Sequence, residues 1–193
     1  MNKDNIHRDL QLFKKYQQTA IKKCGIPNNI SENLIKYMIE FTTGDNITWN
    51  CKKGDLFSDK RGQIECKCFT SNGPISFSPK FSWGDGNLYF LDARDYQNDN
   101  YTLYLYTGST KDFGKIKINK SQDMNSQMAE KRRPRINWKE LYPQIENKLK
   151  KVFDGNIYPT ILERSFQNPI HFQADTLQAT AFVYQPLEAI KLL

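Results

Sequence analysis

The chain has 193 residues, enough for one ample hydrophobic core and few for two, so residues 1–193 are expected to form a single domain. A formal charge of +7 and a pI near 9.1 favour a polyanionic partner, while 13% aromatic residues argue against a disordered chain. No apolar run approaches a membrane span and residues 1–10 lack an apolar signal core, so a cytoplasmic protein with no membrane partner is expected.

Apolar positions at Ile6, Leu10, Phe13, Ala20 and Ile21 predict an amphipathic helix over 5–23, ended near Cys24 and Gly25. After a turn at Pro27-Asn28-Asn29, Ser31 is placed to cap a second helix with a buried stripe of Leu34, Ile35, Met38, Ile39 and Phe41. Thr43-Gly44-Asp45-Asn46 ends that helix, Ile47-Thr48-Trp49 reads as a short strand, and residues 54–69 read as a hairpin. Residues 70–87 form a long polar loop rich in Gly and Pro, whose Phe77, Phe81 and Trp83 argue for order. Residues 88–93 and 101–106 read as strands, and 116–118 as a short one. A polar stretch over 119–130 leads to Lys131-Arg132-Arg133-Pro134-Arg135. Asn137 is placed to cap a helix over 138–153, with Pro143 kinking it or delaying its start. The tail, 154–193, has no clean period. Helices, then a hairpin and strands, then a helix describe an α/β or α+β domain with a mixed central sheet.

The hairpin carries the chemistry. A turn centred near Lys60 places Asp55 across from Glu65, and strand alternation turns Lys67 the same way as Glu65. Ile64, Cys66 and Cys68 then point into an apolar layer. Facing carboxylates have Cβ atoms about 5 Å apart, which is destabilising without compensation. A divalent cation between the acids removes the repulsion, and the neighbouring ammonium polarises a phosphate or positions a water. Asp55 and Glu65 are therefore candidate ligands for Mg²⁺, with the backbone carbonyl of Cys66 as a further oxygen donor and Lys67 as the electrostatic catalyst. The plainer reading is a surface hairpin with a solvated polar face.

Two further stretches suit a nucleic-acid partner. Lys131, Arg132, Arg133 and Arg135 form the densest basic run, able to reach phosphates or to contact guanine edges in bidentate fashion. The loop after Lys67 leaves the same strand, so Ser71, Asn72, Ser76, Ser78 and Lys80 fall beside a bound phosphate. A solvated basic surface and a loop folded over its own aromatics are the respective alternatives. Four cysteines without zinc spacing read as reduced packing residues, and only His7 and His171 are available for histidine-dependent hydrolysis. No glycine-rich phosphate loop is present, so no nucleotide cofactor is expected.

The pattern Asp55, nine residues, Glu65-Cys66-Lys67 resembles the active-site motif of the PD-(D/E)xK nuclease superfamily, with Gly54 where many members carry proline. The wider assembly of Ser31-Glu32 on a helix, Gly54-Asp55-Leu56, residues 64–69, 70–77, 88–93 and 132–136 resembles the small orthodox type II restriction endonucleases of that superfamily. The resemblance implies a restriction-endonuclease-like mixed sheet flanked by helices and Mg²⁺-dependent, site-specific cleavage of double-stranded DNA, usually by a homodimer. It also implies a helical glutamate near the metal, for which Glu32 is the candidate ahead of Asp45 and Glu40. Stabilisation of Glu32 by the helix dipole is its alternative role. A structure-selective resolvase or repair nuclease on the same fold, or a non-enzymatic DNA-binding module, stays open. The tail residues Phe182, Val183, Tyr184, Leu187, Ile190, Leu192 and Leu193 suit either a dimer interface or packing on the core.

Overall fold

Both faces of the strand that carries Glu65 and Lys67 are covered, and that decides the architecture. A computed structural model describes residues 3–20, 24–49, 55–81 and 83–157. Gly54, Cys51, His171 and the apolar tail residues named above lie outside the described residues. In chain order the elements are α1 (Lys3–Thr19), α2 (Asn28–Thr43), β1 (Ile47–Trp49), β2 (Leu56–Ser58), β3 (Gly62–Phe69), β4 (Pro74–Ser76) and β5 (Leu88–Asp92). They are followed by β6 (Asn100–Tyr106), α3 (Thr110–Phe113), α4 (Met124–Ala129), β7 (Arg135–Asn137), α5 (Trp138–Ile145) and β8 (Leu149–Asn156). Six strands form a mixed sheet in the order β1-β2-β3-β5-β6-β8, and β4 pairs with β7 in a separate two-stranded ribbon. Only β3 and β5 run parallel; the other neighbours are antiparallel. The expected mixed sheet flanked by helices is thus the observed fold.

The period-two alternation of β3 and β5 feeds two cores. Ile64 and Cys66 with Tyr89 and Leu91 pack under α1 and α2, against Leu10, Phe13, Leu34, Ile35 and Met38. Phe69, Leu88 and Phe90 pack on the other face with Phe77, Trp83, Phe113, Ile136, Trp138 and Leu141. Phe113 is fully buried and meets the rings of Phe77, Phe81, Trp83, Phe90 and Tyr106. From Ile64 onward β3 is therefore covered on both sides, while Phe57 on β2 stays exposed. Glu65 lies on the second side and is only 4% exposed.

Several local expectations change. The second helix starts at Asn28, so Ser31 is buried within it, and its hydroxyl donates to the Asn28 carbonyl (3.1 Å) rather than capping. Phe41 is exposed. The helix closes at Gly44, whose left-handed backbone (φ 66°) returns an N–H to the Glu40 carbonyl, a geometry glycine adopts without a Cβ penalty. Residues 116–118 make only a bridge between Lys117 and Asp123, and the polar stretch after them contains α4, capped by Asp123. Asn137 precedes α5, but its amide donates to Glu140 instead of its carboxamide capping the helix. Residues 149–153 belong to β8 and not to a helix.

Candidate active site

The turn at 59–61 is pinned from outside the hairpin. Asp45 accepts from the Arg61 guanidinium (2.8 and 2.9 Å) and pairs with Lys60, and Arg61 donates to the Tyr89 hydroxyl (2.5 Å). Asn87 donates to the Arg61 carbonyl (2.6 Å), and its own carbonyl accepts from Glu65 N–H (2.9 Å). Asp45 is thus committed to this brace. Glu40 is similarly occupied, accepting from Lys36 and from Ile47 N–H. Neither is among the residues that line the cleft beside Asp55.

The β2–β3 ladder ends at Leu56 and Ile64, so Asp55 stands just beyond it. Its N–H donates to the Ile64 carbonyl (3.1 Å), and its carboxylate accepts from Cys66 N–H (2.7 Å). Asp55 therefore meets the backbone of β3 rather than sitting in a ladder pair with Glu65. Backbone groups alternate along a strand. Glu65 N–H points to β5, so the N–H and C=O of Cys66 point to the opposite edge, beside Asp55. Beyond Ile64 that edge is free of β2 and opens into a cleft of about 250 Å³. Glu32, Asp55, Cys66, Lys67, Ile75 and Ser76 are among its lining residues. Lys67 Nζ donates to Glu65 Oε1 (2.5 Å) and lies 5.8 Å from the centre of the Phe77 ring.

Charge in this cleft is unbalanced. Burial raises the Glu32 carboxyl from its ordinary 4.5 to about 7, assisted by the negative charges of Asp55 and Glu65 and opposed by Lys67. Burial and Glu65 also raise Asp55, against the Cys66 N–H bond and Lys67. The Cys66 thiol, pushed far up chiefly by burial, stays protonated in the apolar core and offers only its backbone to the cleft. No three His, Cys, Asp or Glu side chains among the described residues are grouped closely enough to hold a metal ion. The oxygen donors that fit a hard cation are Asp55, Glu65 and the Cys66 carbonyl, with waters completing the shell, as Mg²⁺ commonly accepts.

The remaining predicted residues divide. Ser76 reaches the cleft on β4, which pairs with the Arg135 strand. Ser71 and Asn72 are exposed in the turn after β3; Ser71 accepts from Gly73 N–H and Asn72 from Arg94 (2.8 Å). Ser78 is half-buried, and Lys80 lines a separate shallow groove with Phe81 and Trp83. Lys131, Arg132 and Arg133 are exposed on the approach to β7, and Arg132 pairs with Glu130 (3.1 Å). Sequence reasoning misses Arg94, which grips Asp92 (2.6 Å) over the Phe69 ring; the signal was an acid and an arginine two residues apart at a strand end. A larger hollow of about 660 Å³ surrounds that pair, where Arg94 matches Asp92, Lys151 matches Asp154, and Asp95 accepts from the Asn98 and Asn100 amides.

Among the described residues no helix is long and apolar enough to cross a membrane. A family model described as Bsp6I restriction endonuclease matches residues 3–146, well over half of the chain. No curated protein matches it, and no solved structure does.

Proposed function

The chain belongs to the Bsp6I restriction endonuclease family and is a nuclease, and on that footing we propose that it hydrolyses both strands of DNA at a short sequence with Mg²⁺ held at Asp55 and Glu65. The observation that carries this reading is a charge imbalance, in which Glu32 and Asp55 line the cleft, Glu65 is buried within electrostatic reach of both, and Lys67 is the cation among the described lining residues. Like charges held together in a half-dry cleft are costly, and a divalent cation relieves that cost.

Asp55, Glu65 and the Cys66 carbonyl would hold the ion. When bound, Mg²⁺ neutralises phosphate charge and lowers the cost of ionising water. Cys66 N–H fixes the Asp55 carboxylate against the β3 edge, so its position costs no reorganisation during reaction. Glu65 does the same for Lys67, whose ammonium faces the phosphate and stabilises charge developing on its oxygens. Glu32, whose ionised form a cation in the cleft would favour, takes up a proton from the attacking water. Water oxygen bonds to phosphorus as one P–O ester bond breaks, and the leaving alkoxide is protonated from solvent.

Among the described residues each chain carries one such cleft, which serves one phosphodiester. A two-fold homodimer places two clefts on the two strands of a palindromic site. Plasmid DNA incubated with the protein and Mg²⁺ should give discrete, sequence-defined ends, and none in chelator. Preferential cutting of a four-way junction over linear duplex would instead support a structure-selective nuclease. DNA binding with no cutting under any divalent cation would support a binding module.

A further inference from the structure

The β4–β7 ribbon brings together two segments that lie about sixty residues apart in sequence, and the first of them, β4, lines the cleft. Pro74 pairs with Asn137, Ile75 with Ile136, and Ser76 with Arg135. Ile75 and Ile136 are buried, at 4% and 2% exposure, in the aromatic core. Alternation therefore turns Ser76 and Arg135 outward, and both are exposed. Phe77 N–H donates to the Pro134 carbonyl (2.9 Å), which makes Phe77 and Pro134 a hydrogen-bonded pair. By the antiparallel rule Ser76 and Arg135 are then a non-hydrogen-bonded pair, the kind whose side chains lie closest. The ribbon is also tied to the candidate catalytic lysine: Ser76 lines the cleft with Lys67, and the ammonium of Lys67 lies against the ring of Phe77.

Arginine partners single out one guanidinium. Arg8 pairs with Asp9, Arg61 with Asp45, Arg94 with Asp92 and Arg132 with Glu130. Among the described residues only Arg133 and Arg135 have no carboxylate partner, and of these only Arg135 lies on a strand. A two-stranded ribbon fits the major groove, where an arginine held in place reads the O6 and N7 edge of guanine and a serine hydroxyl bonds to either neighbouring base.

Building on the nuclease reading, we propose that Arg135, with Ser76 beside it, reads a guanine in the major groove next to the cleaved bond, and that Arg133 contacts only phosphate. Fixed distance between ribbon and cleft then sets the spacing between the read base and the cut. Arg135 is exposed, so its replacement leaves the core intact, and Arg135→Lys keeps the charge while removing the bidentate fork.

The test is cleavage of a randomised duplex pool with Mg²⁺, sequencing the ends, alongside affinity for random duplex measured in chelator. Wild type should show a guanine requirement at a fixed distance from the cut. Arg135→Ala and Arg135→Lys should both lose that one requirement, with cognate cleavage falling about 5- to 150-fold, the range of one good bidentate base contact. Arg135→Lys should keep wild-type affinity for random duplex, and Arg133→Ala should weaken cognate and random duplex alike. Discrete wild-type ends with an unchanged sequence requirement in both Arg135 variants overturn the ribbon assignment alone. A wild-type protein that yields no discrete ends overturns the nuclease reading and this assignment with it.

Discussion

Replacing Glu32 by Gln should stabilise the metal-free protein at alkaline pH while removing the proposed proton acceptor. The folded chain holds the Glu32 proton up to about 7, whereas an unfolded chain releases it near 4.5. The sign follows directly: the raised carboxyl contributes stability that is complete below 4.5 and is lost as pH rises through 7. At about 1.36 kcal/mol per pH unit the full interval corresponds to roughly 3 kcal/mol. Glu32 is only half-buried, and solvent screening brings the expected effect to ~1–2 kcal/mol. Urea unfolding in chelator reads this as a midpoint difference of ~0.5–1 M at pH 8 between Glu32→Gln and wild type, for a slope of about 2 kcal/mol/M. The two proteins should unfold together near pH 5. Millimolar Mg²⁺ should flatten the wild-type pH dependence, because a cation beside the carboxylates favours their ionised forms. A midpoint difference of equal size at pH 5 and pH 8 would mean that it owes nothing to the buried charge of Glu32.

Other outcomes follow from the same geometry. Lys67→Ala should slow single-turnover cleavage by ~10²-fold or more, in the range seen when one preorganised electrostatic group is removed; Lys67→Arg should stay within tenfold of it, and near-wild-type activity in Lys67→Arg would make the lysine a general DNA attractant. Phe113→Ala, which empties the centre of the aromatic core, should cost ~3–5 kcal/mol in urea unfolding, and a loss below 1 kcal/mol would show that core to be loosely packed. Light scattering of the complex on a duplex bearing one mapped site should give two chains per duplex; a one-to-one complex that completes double-strand breaks would exclude the homodimer.

Local periodicity made the sheet legible, and long-range pairing hid the rest. The apolar alternation of Ile64, Cys66 and Cys68 against Glu65 and Lys67 is visible in a dozen residues, as is the apolar run of β5. The burial of Glu65 is not, because the rings that cover its face come from Phe77, Phe113 and Trp138, scattered over sixty residues. The same holds for the ribbon, in which Ser76 meets Arg135 only after the chain has built β5, β6, α3 and α4. Leu149, Val152 and Phe153 have helical spacing, yet pairing with β6 makes them a strand, a case of tertiary pairing overriding local pattern. Asp55 was legible as a cleft residue from its distance to Glu65, but its contact with Cys66 N–H depends on where the ladder stops, which the side-chain pattern does not encode.

On the proposed reading, Asp55 and Glu65 hold the divalent ion on which strand cleavage depends. Single-turnover cutting of a duplex with a mapped site, by wild type, Asp55→Asn and Glu65→Gln in Mg²⁺, tests it most directly when affinity for the same duplex is measured in chelator. The expected result is no detectable cutting by either variant, with duplex affinity equal to or tighter than that of wild type because a negative charge near the phosphate has been removed. Cutting at the wild-type rate by either variant would contradict the claim.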